Sequence, residues 1–144
     1  MINVVIVEDS VIEGEIYETI LQSDEIHVTT VNNPLHAMDV IEYFKPNLIL
    51  LDVNMPEMDG ITLGKLIREY ASTPIILLTA ANDADTRLAS VSIGALEFFN
   101  KPILAETLKE CVHSHALVNW ATESLKPAID ELSKIRNKYG DKSE

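Results

Sequence analysis

The sequence predicts an α/β domain in which a five-stranded parallel sheet is covered by helices on both faces. Three observations carry that expectation. Short aliphatic and β-branched runs alternate with longer segments of helical spacing, five times over. The runs are apolar at consecutive positions, as strands buried on both faces require. Polar and ionisable residues stand where several of those runs end, at the edge where an open parallel sheet places its site.

Met1–Val7 reads as the first strand, and Ser10 to Leu21 as a helix with Ile12, Ile16 and Ile20 on one face. His27–Val31 is a second strand, and Pro34–Tyr43 a second helix that carries proline near its first turn. Leu48–Asp52 is a third strand, apolar until its last residue, and Asp59-Gly60 is the turn that starts a third helix over Ile61–Tyr70. Pro74–Thr79 and Leu96–Asn100 are the fourth and fifth strands, separated by a helix over Asp83–Ile93. From Leu104 onward the spacing is helical again. Beyond Val118 it continues through Trp120, Leu125, Ile129, Leu132 and Ile135, with Pro127 expected to kink or break it because proline lacks an N–H and clashes one turn back. Residues 140–144 are expected to fray.

Composition narrows the function classes. At 144 residues the chain is about one domain long, and 47% apolar residues exclude a disordered polymer. No window approaches the roughly 20 unbroken apolar residues that span a bilayer. No basic leader precedes the first strand, and the single Cys111 cannot form an internal disulfide, so the expected location is the reducing cytoplasm. A net charge of −12 repels phosphate backbones and argues against direct nucleic-acid binding.

The chemistry sits at the strand ends: Glu8-Asp9, Asp52, Thr79 and Lys101-Pro102. Carboxylates gathered there repel one another, each pair about 4 Å apart costing roughly 1 kcal/mol in water and nearer 4 at an effective dielectric of about 20. Lys101 offsets one charge. An oxygen-ligated cation offsets the rest, and hard carboxylates with room for water suit Mg²⁺. A carboxylate fixed beside a metal can attack phosphorus, a reaction that needs little beyond in-line positioning and neutralised oxygens. Lys101 and the Thr79 hydroxyl would then hold phosphoryl oxygens.

Taken together, Glu8-Asp9, Asp52-Val-Asn-Met-Pro56, Asp59-Gly60, Thr79-Ala80 and Lys101-Pro102 resemble the receiver domain of bacterial two-component response regulators. The resemblance covers about residues 1–120 and leaves 121–144 as a helical extension or the start of a linker to an output module. It implies a flavodoxin-like strand order, 2-1-3-4-5. It implies that Asp52 accepts phosphate from a sensor histidine kinase, a phosphotransfer protein or a small phosphodonor. Mg²⁺ would be held by Asp9, Asp52 and the main-chain carbonyl of Asn54, with Glu8 acting through water. Thr79 and Phe98 would form a switch pair that shifts the surface of the fourth helix, fifth strand and fifth helix towards a downstream protein or fused output domain. The only chemistry implied is the domain's own aspartyl phosphorylation and dephosphorylation, and the Lys101–Pro102 peptide would be cis. The sequence departs from the common pattern in carrying Glu8 where aspartate is usual, phenylalanine at 98, and a small residue at Ala81. It also lacks, in Gly94–Phe98, the acidic pair found in relatives that dimerise through the fourth helix and fifth strand.

Other readings are weaker. Glu8-Asp9 could simply cap the first helix. His113 and His115, two apart on a helix, do not share a face and read as surface residues. A magnesium phosphatase of the haloacid dehalogenase type would want a second aspartate where Asn54 stands. A flavin carrier would want a phosphate loop where Glu8-Asp9 would repel it. A phosphorylation-independent adaptor, associating through the C-terminal segment, is the remaining alternative.

Overall fold

The structure is a computed structural model that describes residues 1–80 and 84–140. Five strands, β1 (Ile2–Val7), β2 (Ile26–Val31), β3 (Leu48–Asp52), β4 (Ile75–Thr79) and β5 (Glu97–Asn100), form one sheet in the order 2-1-3-4-5. Every strand pair is parallel, with Val4 opposite Val28 and Leu48, and Leu51 opposite Leu77. The helices are α1 (Val11–Leu21), α2 (Ala37–Phe44), α3 (Gly60–Tyr70), α4 (Ala84–Ser92) and α5 (Ala105–Tyr139). The flavodoxin-like expectation holds.

The period-2 geometry of a strand explains the consecutive apolar runs. Val4 and Ile6 of β1 face Tyr17 and Leu21 of α1 and Leu108, Val112 and Ala116 of α5. Val5 and Val7 face the other way, onto Ala37 and Ile41 of α2 and Leu63 and Ile67 of α3. Two cores thus sandwich one sheet, and β3 and β4 are buried along their whole length.

Ile12, Ile16 and Ile20 of α1 share a face as expected; Ile12 is 72% exposed and Ile16 is exposed as well, Ile20 is partly buried against the core, and Tyr17 and Leu21 make the main core contact. Two local expectations need correction. The cap of α1 is neither Glu8 nor Asp9 but Ser10, whose hydroxyl accepts from the Glu13 N–H at 3.2 Å. Pro127 does not interrupt α5, which runs unbroken for 35 residues. Proline there removes one bond, to the carbonyl of Glu123, and that residue is exposed, so water replaces the lost donor. Asp59-Gly60 starts α3 as expected, with Asp59 Oδ1 accepting from the Thr62 N–H at 2.9 Å. Asp83, the expected first residue of α4, Ala81 and the expected frayed residues 141–144 lie outside the described residues.

The loop after β3 is folded tightly against the strand it leaves. The Gly60 N–H donates to the Val53 carbonyl at 2.8 Å, and a Cβ on Gly60 would stand 2.2 Å from the Asp52 carbonyl oxygen. Only glycine allows that approach. Gly60→Ala is therefore expected to destabilise the fold by about 1–3 kcal/mol through overpacking on backbone, read as a lowered denaturant midpoint. An unchanged midpoint would show that the loop relaxes freely.

Candidate functional site

Each site residue is delivered by the end of a strand. Glu8 leaves β1 with its N–H bonded to the Val31 carbonyl at 3.0 Å, while its own carbonyl accepts from Asn32 Nδ2 at 2.9 Å. Asp52 ends β3 and Thr79 ends β4; their side chains stand on rigid, dry backbone. Lys101 follows β5, tied through its N–H to the Thr79 carbonyl at 2.8 Å, and its peptide bond to Pro102 is cis as expected.

These ends converge. The Lys101 ammonium lies 2.7 Å from Glu8 Oε1, 3.1 Å from Glu13 Oε1 and 3.3 Å from Asp52 Oδ1. Carboxylate oxygens of Glu8, Asp9 and Asp52 all lie within 4.8 Å of one another. Glu8 and Asp52 are 1% and 4% exposed, Asp9 half-buried. Asp52 Oδ1 is buried and has no hydrogen-bond partner; Lys101 faces it as a charge without bonding geometry. Asn54, which lines the cleft, donates from Nδ2 to the buried Thr79 Oγ1 at 3.3 Å. The whole opens into a cleft of about 690 Å³ that Ile16, Ile20 and Ile103 flank on one side.

Burial sets the protonation of this cluster. It pushes Glu8 up from 4.5 to about 8, against the Lys101 hydrogen bond, with the neighbouring Asp52 raising it further. Asp52 is also raised, by burial first, although Glu8, Lys101 and an Asn54 backbone group favour its charged form. Burial alone would lower Lys101, but its bond to Glu8 and the charge of Asp52 outweigh that and hold it above its ordinary value. Burial thus favours the protonated form of both acids even with Lys101 between them.

The residues present fit a divalent cation. Three oxygen donors within reach of one point, a buried carboxylate oxygen lacking a partner, and acids whose charged form is disfavoured by burial are what a hard cation would satisfy. Of the residues expected at the site, Glu8, Asp9, Asp52 and Lys101 lie together and Thr79 lies beside Asn54, while Glu13, which joins them, was not expected. That residue sits in the first turn of α1, three after the cap, where an acid reads as ordinary helix-dipole chemistry. Phe98 is half-buried against the α3 side of the core, with the Arg87 guanidinium 5.0 Å from its ring centre. His113 and His115 diverge as expected, towards Glu25 at 3.3 Å and Glu97 at 3.6 Å. Glu97, Cys111 and His115 form a second small group, at the α5–β5 contact.

A parallel sheet ending in an acidic pocket with a lysine is the arrangement of a signalling receiver module. The chain belongs to the response regulator receiver domain family, whose sequence profile matches residues 4–113. It is 36% identical, over 117 residues, to protein-glutamate methylesterase/protein-glutamine glutaminase 1 of Photobacterium profundum, covering 78% of this chain and 33% of that protein. It is 31% identical to the transcriptional regulatory protein KdpE of Staphylococcus aureus, covering 74% of this chain and 46% of that protein. The chain thus spans between a third and a half of the length of these relatives. Among solved structures it resembles the signal receiver domain of a putative Luxo repressor protein from Vibrio parahaemolyticus, with TM-score 0.78, 29% identity and coverage of 85% and 95%. It also resembles chemotaxis protein CheY4 of Vibrio cholerae, with TM-score 0.73, 28% identity and coverage of 79% and 98%. Among the described residues no helix is long and apolar enough to cross a membrane.

The raised Glu8 has a consequence for stability. Folded Glu8 keeps a proton that the unfolded chain releases near pH 4.5, so raising the pH from there to about 8 removes stability from the metal-free protein. The slope is at most about 1.4 kcal/mol per pH unit. Chemical denaturation of the metal-free chain across that range is expected to show the loss, and Glu8→Gln to flatten it; equal slopes would place the proton elsewhere.

Proposed function

We propose that the chain is the phosphoacceptor switch of a two-component phosphorelay, with Asp52 as the acceptor. The observation that carries this reading is the unpartnered, buried Oδ1 of Asp52, facing the Lys101 ammonium at 3.3 Å beneath an open cleft. A carboxylate held this rigidly is positioned for attack, and Lys101 favours its ionised, nucleophilic form. The O–P bond to Asp52 forms as the P–N bond of a phosphohistidine breaks, and the bond electrons leave with the imidazole.

Asp9, Asp52 and the Asn54 carbonyl would hold Mg²⁺, with Glu8 contributing through water. When bound, the ion supplies the positive charge the cluster lacks and neutralises phosphoryl oxygen in transfer. Lys101 would shift from Asp52 towards a second phosphoryl oxygen, keeping Glu8 as its other anchor. The Thr79 hydroxyl, which accepts from Asn54, would donate to a third.

That move is what turns chemistry into a signal. Thr79 sits on β4 beside β5, where Leu77 pairs with Phe98. A hydroxyl drawn towards the phosphoryl group vacates space behind it, and the half-buried Phe98 ring rotates in from under Arg87. The α4–β5–α5 surface then presents a different face to a downstream protein or fused output domain. The outward isoleucines of α1, at the edge of the cleft, offer an apolar landing strip for a histidine kinase or phosphotransfer protein. On this reading residues 1–120 are the receiver, its only chemistry is its own phosphorylation and dephosphorylation, and its setting is the cytoplasm.

Incubation with acetyl phosphate and Mg²⁺ followed by intact-mass measurement tests the proposal. One phosphoryl group per wild-type chain is expected, none on Asp52→Asn, and none after chelation. Equal labelling of Asp52→Asn would overturn it.

A further inference from the structure

The last turns of α5 extend past the receiver body and carry apolar side chains that stand largely in solvent. Leu108, Val112 and Ala116 are the buried core face of this helix. Beyond them Leu125, Ile129, Leu132, Ile135 and Tyr139 are all exposed, Leu132 by 65%. An isolated helix of this length is marginal in water, and Pro127 weakens it further. Its apolar face is therefore the feature that needs covering.

The spacing of that face is a heptad. Val118, Leu125, Leu132 and Tyr139 recur every seventh residue, and Ala121, Ala128 and Ile135 fall three residues after the first three of them. The pattern runs for about three heptads, the length at which such spacing marks a coiled coil rather than chance. At the second position Ala121 and Ala128 are small, so two copies can approach closely over the first two heptads, and Ile135 adds a larger contact in the third. Pro127 falls outside the seam.

Three further features fit a second copy of the same chain. In a parallel pair, the position preceding one core residue faces the position five residues on in the partner. Here those positions are Glu131 and Arg136, of opposite charge, and two-fold symmetry forms the pair twice. Residues 121–140 hold Lys126, Lys134, Arg136 and Lys138 against Glu123, Asp130 and Glu131, so this stretch is near neutral in a chain of net charge −12. At about 100° per residue the seam lies on the opposite side of α5 from Leu108, Val112 and Ala116. The two receiver bodies would therefore stand on the outside of the helix pair, without collision.

We propose that the extension of α5 pairs in parallel with the same helix of a second copy, making the chain a dimer whose contact lies on the exposed C-terminal part of α5, on the side away from Leu108, Val112 and Ala116.

The test is sedimentation equilibrium of the full chain without phosphodonor, across a dilution series from micromolar to millimolar. A reversible monomer–dimer equilibrium is expected. Leu132→Asp should abolish it while leaving the far-ultraviolet circular dichroism of the receiver body and its labelling by acetyl phosphate intact. Glu131→Arg should weaken it severalfold, and Glu131→Arg combined with Arg136→Glu should restore it. A monomer at all concentrations overturns the proposal, as does a dimer that survives Leu132→Asp. A charge reversal that fails to rescue overturns the parallel register.

Discussion

Lys101 is the charge on which the site depends. Its ammonium stands within 3.3 Å of carboxylates from the residue that follows β1, from α1 and from β3. Two of these, on Glu8 and Asp52, are almost wholly buried, where repulsion between like charges is several-fold stronger than in water. One lysine cannot neutralise them and Asp9 as well. The fold therefore stores an electrostatic deficit at the mouth of its sheet, and any group that brings positive charge, or oxygens to be held by it, is drawn there. Breaking this arrangement from the lysine side would leave buried acids without a counter-ion, which is costlier than the net value of the pairs themselves.

The rest of the structure keeps those charges in place. Asp52 and Thr79 end strands buried along their whole length, so the positions of their side chains are set by core packing. Gly60 lets the following loop close onto the Asp52 carbonyl, and Asn32 fixes the backbone of Glu8. Such rigidity suits a site whose output is a small displacement. A shift of the Thr79 hydroxyl matters only if its surroundings are packed well enough that Phe98 must respond.

Much of this was legible in the residues. Consecutive aliphatic positions announced strands buried on both faces, and the acids and lysine ending those runs announced where the chemistry lies. What escaped were features that depend on tertiary direction. Tyr17 and Leu21, with Gly14 letting the helix lie close to β2, carry most of the core contact of α1, while Ile12 and Ile16 face out. Glu13 looks like a first-turn acid until the lysine from β5 arrives beside it. Pro127 is a helix breaker by propensity, but in a solvent-exposed stretch it costs a single hydrogen bond that water replaces.

The central claim is that the acids of separate strand tips make one cation site. Calorimetric titration of the unphosphorylated chain with Mg²⁺ at pH 8 tests it most directly. The account predicts one ion per chain, with binding lost in Asp52→Asn and in Asp9→Asn but kept in Glu25→Gln, whose acid lies beside His113 instead. Uptake that is the same in all four proteins would contradict it.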